Sequence, residues 1–309
     1  MLVRLAPFGF VLLWSSSFVA AKAGLQRLSP LLFVSIRVAG CAAVLIMTML
    51  LLRRSWRPLA GWNWLHCSVA GALLNAIGLM APHVGLRLAP AAQIALVQSL
   101  TPLLTAAAGV LVVRERLWPS QWAGLVLGVI GVGLVVGQAA FQSPTQFGGL
   151  ALAFLGVLGL VAGTLYFARF CRGIAMLPGA AAQFTAAALV AGLGAALLER
   201  PRADWTSLAM AAVVWNTVMV SLGGMSLYYA MLSRGTAAQT TANFYLVPGT
   251  VALLAWVLLG EELSLFAVLG LVTASAGCWL VRARPALAGA QHPAPAGQAR
   301  AVSTDVEPL

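Results

Sequence analysis

The sequence predicts an all-α membrane protein of ten transmembrane helices, arranged as two inverted five-helix repeats. Three observations carry this. Of 309 residues, 61% are hydrophobic and only 8% charged, more apolar sequence than a soluble core needs. The apolar runs approach the roughly 20 residues of a membrane-spanning helix, and they do not alternate as the roughly 10-residue strands of a membrane barrel would. Finally, residues 78–131 recur 146 positions later, without a gap, as residues 224–277. Gly78 meets Gly224, Ala91-Ala92-Gln93 meets Ala237-Ala238-Gln239, Pro102 meets Pro248, Glu115 meets Glu261 and Gly131 meets Gly277. Self-similarity on this scale marks a duplicated unit.

In chain order the expected spans are Ala6–Lys22, Pro30–Leu52, Trp64–Leu86, Ala91–Val113 and Gln121–Gln138. A loop at Phe141–Gly148 separates them from Gly149–Phe170, Gly179–Leu198, Ser207–Leu232, Ala238–Leu259 and Leu265–Val281. The repeats are therefore residues 6–138 and 149–281. The tail, residues 282–309, is rich in Ala, Pro and Gly and lacks apolar periodicity, the composition of a disordered segment.

Orientation follows from the basic residues. With the N-terminus inside, twelve arginines fall on inside segments, five basic residues (Lys22, Arg27, Arg87, Arg200 and Arg202) on outside ends, and Arg37 alone within a span. The positive-inside rule then puts both termini in the cytoplasm. Five spans per copy is an odd number, so the second copy enters the membrane upside down. Arg114-Glu115-Arg116 of the first copy becomes Gly260-Glu261-Glu262 in the second, losing its positive charge where the loop turns outward. Inverted repeats of this kind are a secondary-transporter architecture, with binding near the midplane between the halves.

Several residues stand as an ordered set. They are Trp14-Ser15-Ser16-Ser17-Phe18 with Lys22, Pro30 and Arg37, then Ala91-Ala92 through Leu100-Thr101-Pro102, and Glu115-Arg116-Leu117 with Gly124 through Gly131. Ala237-Ala238, Pro248, Gly260-Glu261 and Gly270 repeat the later part of it. The set resembles the drug/metabolite transporter superfamily, EamA type, over about residues 8–283. The family's opening motif often has Gly at the position of Ser15 and Asn near Ser17, where this chain has Ser. The resemblance implies a ten-helix bundle with inverted halves, a central cavity, and export or exchange of small metabolites, often amino acids, across the bacterial inner membrane.

Candidate functional residues follow from polarity at depth. Pro102 and Pro248 lie 11–12 residues into their spans, roughly 17 Å and so near mid-bilayer. A proline there removes a backbone hydrogen bond and bends the helix, as a gating hinge or as a fixed kink. Gln98, Ser99 and Thr101 flank the first proline, and Asn243 and Tyr245 the second. With Trp14, His83, Tyr166, Tyr228 and Tyr229 they describe aromatic walls carrying a few hydrogen-bonding groups, the chemistry of a small-ligand pocket. The competing reading is hydrogen bonding between packed helices. His83 is either a proton-coupling group or a hydrogen-bonded packing residue. Arg37 attracts a substrate carboxylate or holds carbonyls between helices, and Lys22 snorkels to the interface. Glu115 and Glu261, each just before a span, favour the positive end of the following helix. Small residues at four-residue spacing (Gly124/Gly128, Gly133/Gly137 and Gly270/Ala274) allow close helix contact, within the monomer or at a homodimer seam.

All seven acidic residues fall in loops, span ends or the tail, which argues for facilitated diffusion or exchange rather than ion coupling. The four cysteines match no metal or redox spacing, and no contiguous basic face suits a nucleic acid. No catalytic constellation, phosphate loop or cofactor motif is visible, so no enzyme, metal or cofactor is expected. The partners expected are a small-molecule substrate and the lipid bilayer. Set against the metabolite exporter are efflux of hydrophobic or cationic drugs and a non-transporting membrane enzyme or scaffold.

Overall fold

In the structure, a computed structural model, residues 2–56, 59–112, 119–171, 173–224, 227 and 246–282 are described. Among them the regular structure is helical; the one β-type feature is an isolated bridge between Leu28 and Ala203. The helices are α1 (Leu2–Gly24), α2 (Pro30–Leu51), α3 (Asn63–Leu88), α4 (Ala91–Gln98), α5 (Leu100–Val112), α6 (Pro119–Gln142), α7 (Pro144–Phe170), α8 (Met176–Leu198), α9 (Ser207–Val214), α10 (Val247–Leu259) and α11 (Leu265–Arg282). Among the described residues, six helices are long and apolar enough to cross a bilayer: α2, α3, α6, α7, α8 and α9 with its continuation to Gly224. The segments Ala91–Thr105, Val247–Leu259 and Leu265–Gly277 are shorter apolar helices.

Local chemistry sets several boundaries. Pro30 opens α2, where its missing N–H has no intrahelical partner to lose. Gly260 ends α10 at φ +65°, a left-handed conformation that favours glycine. The expected loop at Phe141–Gly148 is replaced by a one-residue joint. Ser143 is extended and accepts from the Gln146 N–H at 3.3 Å, and Pro144 starts α7 at once. A serine N-cap followed by proline begins a helix and leaves no need for a longer connection.

The core lies among α1, α4, α5, α6, α7 and α10, and includes Phe18, Leu96, Leu103, Val135, Val157 and Val251. Large apolar side chains such as Leu51, Leu189, Leu198 and Trp256 are exposed around it, as a lipid-facing surface requires. Trp56, Trp62, Trp64 and Trp122 are also exposed, as interfacial aromatics are.

One seam joins the halves by direct backbone approach. A Cβ at Gly131 would stand 2.6 Å from the Gly270 carbonyl oxygen, and one at Gly277 2.5 Å from that of Gly124. The pairing runs down α11 as it runs up α6, so these helices are antiparallel. The two pairs exchange with one another under the 146-residue offset. Gly133 and Gly137, in contrast, face open space.

Two π-helical stretches interrupt the bundle, and local sequence did not signal them. One is Ala72–Ile77 inside α3; the other, Trp215–Gly224, continues α9. Shifting the first by 146 gives residues 218–223, inside the second. π-Helical turns widen the backbone and are frequent at functional sites. Here both stretches face the same space.

Candidate functional site

That space is a cavity of about 480 Å³. Its walls include five pairs of positions related by the repeat offset: Trp14 and Leu160, Phe18 and Thr164, Arg37 and Gln183, Leu74 and Val220, and Asn75 and Ser221. The last two pairs lie on the π-helical stretches. Both copies thus contribute matching positions to its walls.

Arg37, on α2, is 6% exposed and lines this cavity. Its Nε donates to Ser221 Oγ at 3.1 Å, and its Nη1 to Asn216 Oδ1 at 2.9 Å and Ser17 Oγ at 3.4 Å. The brace is itself held. Asn216 donates to the Ala212 carbonyl at 3.1 Å, Ser17 to Asn216 Oδ1 at 2.7 Å, and Ser221 to the Asn216 carbonyl at 2.9 Å. Among the described residues no carboxylate pairs with Arg37.

The serines of the opening motif bond across the two halves. Ser15 donates to the Val247 carbonyl at 3.3 Å, Ser17 reaches Asn216, and Trp215 Nε1 donates to Ser16 Oγ at 2.8 Å. The three hydroxyls thus fasten α1 to α10 and to the π stretch after α9.

His83 lies on α3, stacked on Phe33 with ring centroids 5.7 Å apart. Its Nδ1 is 2.7 Å from the Leu79 carbonyl oxygen. Its Nε2 is buried and, among the described residues, has no hydrogen-bond partner. His83, Trp14 and Gln98 all line the cavity.

The helix pair α4–α5 breaks at Ser99, just before Pro102. Proline cannot donate to the carbonyl four residues back; here the Thr101 hydroxyl donates to that Gln98 oxygen at 2.8 Å. Ser99 donates to the Leu96 carbonyl at 2.6 Å. Ser99 is not among the cavity-lining residues, so these two hydroxyls serve the break while the Gln98 side chain faces the cavity. Pro248 occupies the first turn of α10, where α5 and α10 begin at matching places in their repeats.

Tyr166 lies elsewhere. Its hydroxyl is 2.9 Å from His66 Nδ1, and both rings cluster with Phe170 beside the buried free thiols of Cys67 and Cys171. It is absent from the cavity lining. Tyr228, Tyr229, Asn243 and Tyr245 lie outside the described residues, as do Glu115 and the tail beyond 282.

Lys22 and Glu261 correct their expected roles. Instead of snorkelling, Lys22 forms an ion pair with Glu261 and donates to the Ala89 carbonyl at 2.9 Å. Glu261 Oε2 accepts from the Ala91 N–H at 2.8 Å, so it caps α4 of the other repeat rather than the helix that follows it. Glu199 does likewise for α2, accepting from Leu31 N at 3.1 Å and Leu32 N at 3.2 Å.

Sequence reasoning did not single out Asn75, Gln183, Asn216 or Ser221. Two signals were available: each is polar within an apolar run, and Gln183 is the offset mate of Arg37. Among the described residues no group of three or more His, Cys, Asp or Glu could hold a metal.

Comparison with known proteins adds the following. The EamA-like transporter family model matches twice, over residues 3–137 and 147–283. An uncharacterized transporter of Archaeoglobus fulgidus is 27% identical over 295 residues, 89% of this chain and 95% of the relative. The uncharacterized transporter YvbV of Bacillus subtilis is 24% identical over 266 residues, 85% of each chain. A solved crystal structure with 22% identity superposes at a TM-score of 0.64, over 90% of this chain and 96% of the other, and shares the fold.

Proposed function

This chain belongs to the EamA-like transporter family, and from that premise we propose that it is a secondary transporter exporting or exchanging small metabolites, amino acids foremost. It works across the bacterial inner membrane by alternating access, as a monomer or homodimer, with both termini cytoplasmic. Residues 6–138 and 149–281 form ten spans as two inverted halves that rock about the cavity, and residues 282–309 trail into the cytoplasm. The antiparallel glycine seam supports the inverted arrangement. Relatives named as transporters support carriage rather than catalysis.

The observation that carries this reading is the cavity wall. Offset-related residues of both repeats line it, with one buried cation and, among the described residues, no carboxylate. Efflux of cationic drugs asks for a buried anion in the wall, so the metabolite reading is the better fit. The wall runs from Arg37 and Leu86 to Ile174 and Ala175 in the loop before α8 and to the first residue of that helix, Met176, which is exposed. That loop is cytoplasmic in this topology, and the polar contacts of Lys22, Glu199 and Glu261 close the opposite end.

The test is counterflow in liposomes with a panel of labelled amino acids and amines, with and without an imposed pH gradient. Exchange of amino acids that is indifferent to the gradient is expected. Accumulation of amines alone, or strict dependence on protons, would overturn the reading.

A further inference from the structure

Resting on the transport reading above, we propose that Arg37 and His83 form a head-group subsite for an α-amino acid, the guanidinium taking the carboxylate and the imidazole the ammonium. Both side chains line the cavity and both are more than nine-tenths buried.

A guanidinium away from water is expensive unless a negative charge and hydrogen bonds compensate it. Arg37 has the hydrogen bonds but, among the described residues, no negative charge. Its acceptors are the neutral oxygens of Ser17, Asn216 and Ser221. These use Nε and Nη1. Among the described residues Nη2 has no acceptor, and a planar five-donor fork of this kind suits a carboxylate. Because Asn216 and Ser221 are themselves tied to backbone carbonyls, the fork is held in place before any ligand arrives. Preorganisation of this sort favours binding.

His83 supplies the opposite half. A carbonyl oxygen only accepts, so the contact from Nδ1 to Leu79 puts the ring proton on Nδ1. In the neutral ring Nε2 is then a lone-pair acceptor. It is buried without a donor among the described residues, the kind of group that calls for a specific explanation. An ammonium is a donor only and fits it.

The remainder of the wall selects the body of the ligand. Trp14, Phe18, Pro82, Leu160 and Phe184 make it apolar. The volume of about 480 Å³ is in the range of small-ligand pockets and admits an aromatic amino acid. A second positive charge, as on lysine, has no described carboxylate to meet. The class is therefore the zwitterionic amino acid with an apolar side chain.

The experiment is competition against a labelled apolar amino acid in proteoliposomes. The competitors are the unlabelled amino acid, its α-amide, which lacks the carboxylate, and its N-acetyl derivative, which lacks the ammonium. Both derivatives are expected to compete roughly 10- to 100-fold less well, the factor that one charged hydrogen bond carries. Arg37→Gln should erase the gap to the amide and keep the gap to the N-acetyl compound; His83→Phe should do the reverse. Should Arg37→Gln fail to fold, the competitor series on the unaltered protein still decides. An amide that competes as well as the parent overturns the subsite while transport stands. Zwitterion-selective thermal stabilisation without counterflow of any compound would keep the subsite and remove the transport reading.

Discussion

At the Lys22 end of the bundle, carboxylates of the second repeat cap helix starts of the first; at the Cys171 end, aromatic rings meet and the cavity reaches a loop. Glu199 caps α2, and Glu261 caps α4 while pairing with Lys22. Beside them the backbone N–H of Ser29 donates to the Arg202 carbonyl at 3.0 Å, and the backbone N–H of Asp204 to that of Arg27 at 3.1 Å. Opposite, His66 stacks on Phe170 at 5.0 Å and contacts Tyr166. The difference is written into the sequence as well as into the conformation. The offset mate of Glu199 is Arg53, which offers no acceptor to a helix start. The offset mate of Glu261 is Glu115, which lies outside the described residues. Among the described residues the two ends are thus held by different chemistry, and under the alternating-access proposal the Lys22 end must give up directional polar contacts in order to open. A helix cap contributes about 1 kcal/mol and a charge at a helix terminus about 0.3–1 kcal/mol. Together with a partly exposed ion pair, worth about 1 kcal/mol at most, the latch holds its closed form by a few kcal/mol. Under the alternating-access proposal, that is enough to bias a two-state equilibrium and small enough to be reversed by substrate.

Breaking the latch altogether should give the largest effect. Glu199→Gln with Glu261→Gln removes both charged caps and the ion pair while keeping side-chain size. With Leu86→Cys placed in the cavity wall, and the four native cysteines replaced, a membrane-impermeant thiol reagent applied from the Lys22 side should label at least ~10-fold faster. An unchanged rate would mean that these carboxylates only decorate the surface.

A smaller effect separates the partners. Lys22→Met alone leaves Glu261 on the Ala91 N–H and should raise labelling only a few-fold. Combined with Glu261→Gln, it should add less than the sum of the two, because they share one interaction. Strict additivity would show that Lys22 acts through the Ala89 carbonyl instead.

How much of this could be seen in the chain beforehand depends on the range of the interaction. The duplication was legible because it is a pattern of letters, and the glycines at 124, 131, 270 and 277 follow from it. Depth alone brought Arg37, His83, Trp14 and Gln98 to attention, since a polar or aromatic group inside an apolar run needs a partner. Ser99 and Thr101 were equally visible, but their hydroxyls serve carbonyls three residues back, a choice that backbone geometry makes. The caps were not legible. Glu261 meets Ala91 across 170 residues and Glu199 meets Leu31 across 168, and no local rule reaches that far. The π-helical stretches lacked a local cue too, although their equivalence follows once the offset is applied.

The mildest test probes the Cys171 end. Tyr166→Phe removes the hydroxyl that meets His66 and keeps the ring against Phe170. The loss is one partly buried hydrogen bond, about 1 kcal/mol, which should appear as a drop of a few degrees in melting temperature. Because this end is held by ring packing, labelling at position 86 from the Lys22 side should stay the same. Both outcomes follow from contacts that are aromatic here and ionic there. If the phenylalanine variant instead accelerates labelling at the far end, the two ends are coupled through the helices, and the Tyr166–His66 contact belongs to the gate. Equal melting temperatures and equal labelling would leave the hydroxyl with no role, and would assign the cohesion of this cluster to the rings alone.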